Sequence, residues 1–302
     1  MSPIDGQVVS VVNSIPDNQI GQADKENNWG NYVLLHDKRG FYVLICHLKQ
    51  NSIRVKPEDY VVKGTVLGLC GNSGYSPQPH IHVQVQLLPN LGAPTVSSTF
   101  SSYVVGDRFF DVGIPKEGET VEPVFPDKGL FNRLNLLIDQ EMEFLVNEEG
   151  KEKVLKTVVK MAQDGTFYLT DGLAKLYFGI KNSCFYFYHL EGDLNSPLKY
   201  FLFAAPKIPL LPKKGIYWKD YLPLISPSSK LKREFFLFIS SFKHNLFEVK
   251  VKSSFVSEDE IQSDIVMPSS LSKAKLRISN DFGFEKVEVG KVKIERKRRK
   301  KR

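Results

Sequence analysis

Cysteine is scarce in this chain. Three in 302 residues, Cys46, Cys70 and Cys184, make an odd count with no Cys-x-x-Cys spacing. That rules out a disulfide framework or a thiolate metal centre as the organising device, although one disulfide is compatible with the count. Cys46 and Cys70 lie in apolar strand contexts and read as small core residues. Long apolar runs are missing as well. The longest, over residues 200–205 and 235–239, fall far short of the ~20 residues that span a bilayer, so no membrane span is expected. Met1–Gly6 has neither the basic start nor the apolar stretch of a signal peptide, so the chain as written is expected to stay in the cytosol. Tryptophan is rare too, and Trp29 and Trp218 read as packing residues.

The formal charge of +7 is unevenly spread. Residues 291–302 hold nine Lys or Arg against one Glu, and the remaining 290 residues sum to about −1. Such a segment could contact phosphates or carboxylates. With no interleaved aromatics and no second basic patch, it reads instead as a solvated, disordered tail, and no nucleic-acid partner is expected.

What is there is mostly β-strand pattern. Residues 1–90 read as closely spaced strands at Gln7–Val12, Asn31–His36, Phe41–His47, Val61–Cys70 and Ile81–Leu88, the second and third joined as a hairpin across Asp37–Gly40. Residues 91–128, rich in Ser, Gly and Pro, read as a linker. From 129 to 290 a second β-rich domain of unknown role follows, with Asp-Gly turns at Asp164 and Asp171. Its strands are expected at Thr166–Thr170, Lys175–Ile180, Cys184–Leu190, Glu234–Ser240 and Leu246–Lys252. Leu130–Val146 fits either a helix or a strand pair. The aromatic strands between Phe167 and Tyr188 read as core and sheet face rather than a sugar-stacking platform.

The chemistry concentrates in Gly71–Gln86, GNSGYSPQPHIHVQVQ. A glycine-rich turn feeds a strand that opens His-x-His, and strand residues two apart share a face. His80 and His82 therefore point the same way, with Gln84 and Gln86 in line behind them and Ile81, Val83, Val85 and Leu87 on the apolar side. By the same alternation His47 ends an apolar row of Phe41, Val43 and Ile45. Two imidazoles side by side suit a metal site.

Taken in order, Gly30-Asn31-Tyr32-Val33, His47-Leu48, Val61-Val62-Lys63-Gly64, Gly71-Asn72-Ser73-Gly74-Tyr75-Ser76 and Pro79-His80-Ile81-His82 resemble the lysostaphin/LytM-type zinc endopeptidases over the first 90 residues. The resemblance implies a small antiparallel β-core with an open groove and peptidoglycan peptides as substrates. It implies zinc as cofactor, His82 as a metal ligand, and His47 and His80 as residues that flank the metal and assist proton transfer. It also implies a cell-envelope, periplasmic or extracellular site of action. Zinc held by three protein ligands keeps a position open for water and lowers that water's pKa, and nearby imidazoles can move its proton.

One departure matters. The family's other two ligands come from a His-x-x-x-Asp motif ahead of the strand that matches Pro3–Val9, and Met1 leaves no room for it. The remaining histidines, His36, His189 and His244, do not replace it. The chain is expected to be either the C-terminal part of a longer enzyme, impaired as it stands, or a non-catalytic module that grips cell wall or a partner. Gln84 stands where the family commonly has Glu. A third reading, a lipoyl or biotinyl carrier domain with Lys38 as the modified residue, leaves the His-x-His unexplained. Oligomeric state is not legible.

Overall fold

The computed structural model describes residues 1–222, 249–267 and 270–297. They are mostly β and divide into two compact units, Met1–Ser98 and Thr99–Arg302.

The first unit is a five-stranded antiparallel sheet of β1 (Gly6–Val12), β2 (Asn31–Asp37), β3 (Tyr42–Leu48), β4 (Tyr60–Val61) and β5 (His82–Gln86), in the order β4-β1-β2-β3-β5. Val8, Val33, Leu35, Val43, Ile45, Leu48, Val61 and Leu67 cluster on one face, and Tyr32, Leu34, Leu44 and Cys46 on the other. With both faces covered, β2 reads as an unbroken apolar run instead of alternating. The hairpin turn is fixed by Asp37, whose carboxylate accepts from both the backbone N–H and the guanidinium of Arg39.

Two expectations for this unit need correction. Val61–Cys70 is not a strand: pairing stops at Val61 and returns as a single bridge between Leu48 and Cys70. Val62, Val66 and Leu69 are exposed, so its alternating apolar residues have no second surface to pack on. Cys70 is exposed too, while Cys46 is buried, and the three cysteines are free.

The second unit opens with β6 (Phe100–Val105), β7 (Arg108–Gly113) and β8 (Val121–Pro123), so residues 91–128 are not a plain connection. Helix α1 (Lys128–Leu134) follows, capped by the Asp127 carboxylate on the Leu130 N–H. Then come β9 (Glu141–Glu148), β10 (Lys151–Met161), β11 (Phe167–Thr170), β12 (Ala174–Lys181), β13 (Cys184–Gly192), helix α2 (Leu198–Ala204), β14 (Lys207–Pro209) and β15 (Tyr217–Leu222). The chain closes with β16 (Val249–Phe255), β17 (Glu260–Met267), β18 (Ser270–Ile278), β19 (Phe284–Val289) and β20 (Val292–Arg296). Leu130–Val146 thus resolves into parts of a helix and a strand. The strand expected over Glu234–Ser240 and the first residues of the one over Leu246–Lys252 lie outside the described residues.

These strands form one sheet from β14 through β9, β20 and β16 to β8. The sheet curls around α2, which packs against β12 and β13 from one stretch and β17, β18 and β19 from another. Being enclosed, α2 is apolar on most sides: Leu198, Phe201, Leu202, Phe203 and Ala204 are buried. Edge strand β14 is stitched to distant β7 and β15 by Lys207, whose Nζ lies 2.8 Å from Asp111 and 3.5 Å from Asp220. The Trp218 indole donates to the Lys207 carbonyl at 2.9 Å. Residues 292–296 are not a solvated tail. They are paired on both sides, by β9 and β19, with Val292 and Ile294 buried and Lys293 and Glu295 turned outward.

Candidate active site

Two segments bring the three singled-out histidines together. His47 comes from β3, and His80 and His82 from the mouth and start of β5. The ring centroids of His47 and His80 are 4.6 Å apart, and those of His47 and His82 are 6.2 Å apart. Trp29 sets its ring edge-on to His82 at 5.6 Å.

Simple alternation does not deliver His47 to this cluster, because it would place His47 with Val43 and Ile45. The strand carries a bulge: Val33 pairs with Ile45 and Asn31 with Leu48, so Cys46 and His47 together oppose the single residue Tyr32. His47 sits at φ 60°, a left-handed conformation that costs a residue with a Cβ. The extra residue turns His47 to the face shared by Cys46 and its cross-strand partner His82, and still returns Leu48 to the core.

The apolar side of β5 is also less anchored than alternation implies. β5 is an edge strand, Ile81, Val83 and Leu87 are exposed, and only Val85 packs on the core. Polar contacts hold the strand instead. Gln86 is fully buried, and its amide donates to the carbonyls of Leu88 (2.6 Å) and Asn90 (2.9 Å). Gln84 donates to Gln86 Oε1 at 2.7 Å, and Gln84 Oε1 lies 2.8 Å from His82 Nε2.

The loop Gly71–Ser76 fixes the other two rings. His47 Nδ1 is 2.8 Å from the Ser73 carbonyl, so it carries the proton and leaves Nε2 free. His80 Nδ1 faces the Gln78 carbonyl at 2.9 Å and the Ser76 hydroxyl at 3.0 Å. Burial holds the His47 imidazole below the usual histidine value, and the charges of His80 and His82 work in the same direction against the pull of the Ser73 carbonyl.

Loop position is over-determined. Asn18 Nδ2 donates to the carbonyls of Asn72, Gly74 and Ser76, and Asp17 accepts from the Asn72 N–H. The Asn31 N–H donates to Ser73 Oγ, while the Asn31 amide binds Ile15 and Leu48 backbone. Gly30 and Gly74 permit the close approach: both have positive φ, and a Cβ on Gly30 would lie 2.3 Å from the Ser73 carbonyl oxygen. Asn31, Ser73 and the glycines stand in the motifs quoted above. Asn18 and Trp29 carried no signal in the sequence. His36 and His189 are elsewhere, stacked or tilted on Tyr42 and Tyr177, and His244 lies outside the described residues.

Zinc does not fit the described residues as a three-ligand centre. No group of three His, Cys, Asp or Glu side chains among them could hold a metal ion. His47, His80 and His82 each keep one ring nitrogen outside these hydrogen bonds, but no carboxylate among the described residues pairs with them.

A cavity of about 1100 Å³ in the second unit is lined by acidic and basic side chains, among them Glu141, Asp171, Asp281 and Arg296. Arg296 is paired with Asp281 and Lys297 with Glu143. The cavity holds none of the histidines.

Residues 2–92 match peptidase family M23 and form a domain of that family. Among solved structures, the chain is similar to a mutant catalytic domain of the prophage-encoded M23 protein EnpA from Enterococcus faecalis. The identity is 22% over 31% of this chain and 61% of that one, with a TM-score of 0.22. It is also similar to the antimicrobial peptidase lysostaphin from Staphylococcus simulans, at 19% identity over 63% of this chain and 81% of that one, with a TM-score of 0.24. The family match, and not these superpositions, places the first unit. No curated protein matches the chain. No described helix is long and apolar enough to cross a membrane.

Proposed function

We propose that the first unit is an endopeptidase-type domain directed at the peptides of peptidoglycan, the polymer on which M23 peptidases act, and that it engages them at the His47–His80–His82 cluster. The carrying observation is the convergence of His47 with the His80–His82 pair from a distant segment, with two of the three rings oriented by fixed loop carbonyls. A histidine triad assembled by a strained bulge and a clamped loop is costly for a surface with no chemistry to perform.

In this reading His47 and His80 are the proton-handling pair. Each presents a free Nε2 in its neutral form, able to take a proton from water and return it to a leaving amine. Burial keeps His47 in that neutral form at neutral pH. His82 is this chain's contribution to zinc. With no three-ligand group among the described residues, no step is routed through a metal, and hydrolysis by the chain alone is expected to be weak or nil. The same observation favours a second reading, a module that binds cell-wall peptide or a partner without cutting it. Action in the cell envelope follows from either reading, and a role for residues 129–290 does not.

The test is incubation of the full chain with purified peptidoglycan, with added zinc and with chelator, scoring sedimentation with the polymer and release of free amino groups. Amine release abolished by His80→Ala supports an endopeptidase. Co-sedimentation without release supports the binding module. Absence of both co-sedimentation and release would overturn the proposal.

A further inference from the structure

The ring of His82 is addressed from a place that the cluster itself does not reach. Gln86 lies four residues on and is wholly buried. Its two amide hydrogens are spent on the carbonyls of Leu88 and Asn90, at 2.6 and 2.9 Å. Carbonyls only accept, so the Gln86 amide has one possible orientation, with Oε1 turned toward Gln84. Gln84 must then present its NH₂ to Gln86, at 2.7 Å, and its Oε1 to His82, at 2.8 Å. An amide oxygen cannot donate, so His82 Nε2 carries the proton and Nδ1 is left as the lone pair. No hydrogen bond reaches Nδ1 among the described residues.

We infer that Gln86, acting through Gln84, is a positioning residue that fixes the neutral tautomer of His82. The turn at residues 88–90 sets the state of the ring through two side-chain amides, each link leaving the next a single choice. The relay also explains Gln at position 84. A glutamate there would still accept from His82, but its second oxygen would face Gln86 Oε1, which has no proton to give. His47 and His80 are locked the other way round, with Nδ1 on a loop carbonyl. The three rings therefore offer two Nε2 lone pairs and one Nδ1 lone pair, an asymmetry that distinguishes the roles assigned to them above.

The inference deepens the proposed reading of the site, yet its readout is the imidazole itself, so the two fail separately. The experiment is two-bond ¹H–¹⁵N correlation of the histidine rings in ¹⁵N-labelled full chain. It is run metal-free with chelator at mildly alkaline pH, and His82 is assigned by its loss in His82→Gln. The wild-type ring should show a single tautomer, with a pyrrole-like Nε2 whose proton is directly observed. Gln86→Met frees the Gln84 amide to rotate, so that proton signal should be lost and the two ring nitrogens should average. Gln84→Met, at a half-buried position that tolerates change if Gln86→Met fails to fold, should do the same. Gln84→Glu should keep the Nε2–H signal. A wild-type ring protonated on Nδ1 would overturn the inference. So would an Nε2–H signal unchanged in both methionine variants.

Discussion

The two units bury polar side chains of different kinds. Around α2 in the second, one continuous apolar cluster runs through the curled sheet, and the buried polar side chains among the described residues are hydroxyls alone: Ser102, Thr157, Ser196, Ser253, Ser263 and Ser279. In the first, a smaller apolar core is split across two faces, and the buried polar set contains Asn31, Asn72, Gln86, His47 and Asp37. A hydroxyl is easily satisfied by a neighbouring backbone carbonyl, as Ser263 is by Ala204. Amides and imidazoles need several partners in fixed directions, and they cost stability if one is missing. The second unit is thus organised to fill volume. The first accepts polar burial where three rings must be held in place.

That contrast can be broken from the volume side first. Phe201 is fully buried on α2 and packs edge-on to Phe144 at 5.3 Å, and it also lies against Phe284. Phe201→Ala should destabilise the second unit by about 3–5 kcal/mol. Chemical denaturation would measure it, and a loss under 1 kcal/mol would mean that the sheet is not built on the helix. The polar counterpart in the first unit is Asn31→Ala. It takes their side-chain partner from the Ile15 N–H and carbonyl, leaves the Leu48 carbonyl with the Ser73 hydroxyl, and should cost about 1–3 kcal/mol. Because the Asn31 amide shares the Leu48 carbonyl with the Ser73 hydroxyl, the variant's histidine ring signals should shift as well. If stability falls while those signals stay put, the polar network serves folding alone.

The smallest effect concerns the hairpin. Hydrogen bonding from Arg39 holds the Asp37 carboxyl below the usual carboxylate value. A depressed carboxylate pKa contributes stability that is present above the unfolded value and is lost as pH falls through the native one. Arg39→Met should therefore move the acid-unfolding midpoint of the first unit to higher pH. At neutral pH its cost should be only ~0.2–1 kcal/mol, since Arg39 is largely exposed. An unmoved acid midpoint would show that the pair contributes nothing.

Within the first unit, sequence pattern located β1, β2, β3 and β5 to within about a residue or two, because these strands carry dense Val, Ile and Leu between Gly, Asp and Asn. The histidine cluster was legible through motifs. The route of His47 into it was not, since a bulge is a pairing event that composition does not record. Trp29 and Asn18 act through partners some fifty residues away in the chain, at His82 and at Asn72 to Ser76, so they left no local mark. In the second unit, strands such as β10 and β20 hid behind their lysines and glutamates. Lys293 and Glu295 alternate with Val292, Ile294 and Arg296, and the outward charges made a paired strand resemble a tail. The three strands at 100–123 were masked by the Ser and Pro residues around them.

The bulge at Cys46 and His47 has a consequence for how this hairpin can vary. A sheet with one residue fewer there would be the more regular structure, with every pair in step and no left-handed residue to accommodate. It would also have one position where the molecule now places two side chains, and either the cysteine or the imidazole would leave the face of His82. A single-codon deletion of His47 would therefore keep the strand content that spectroscopy sees while emptying one corner of the triad. For this hairpin, perfect pairing and the presence of both Cys46 and His47 on the face of His82 are alternatives.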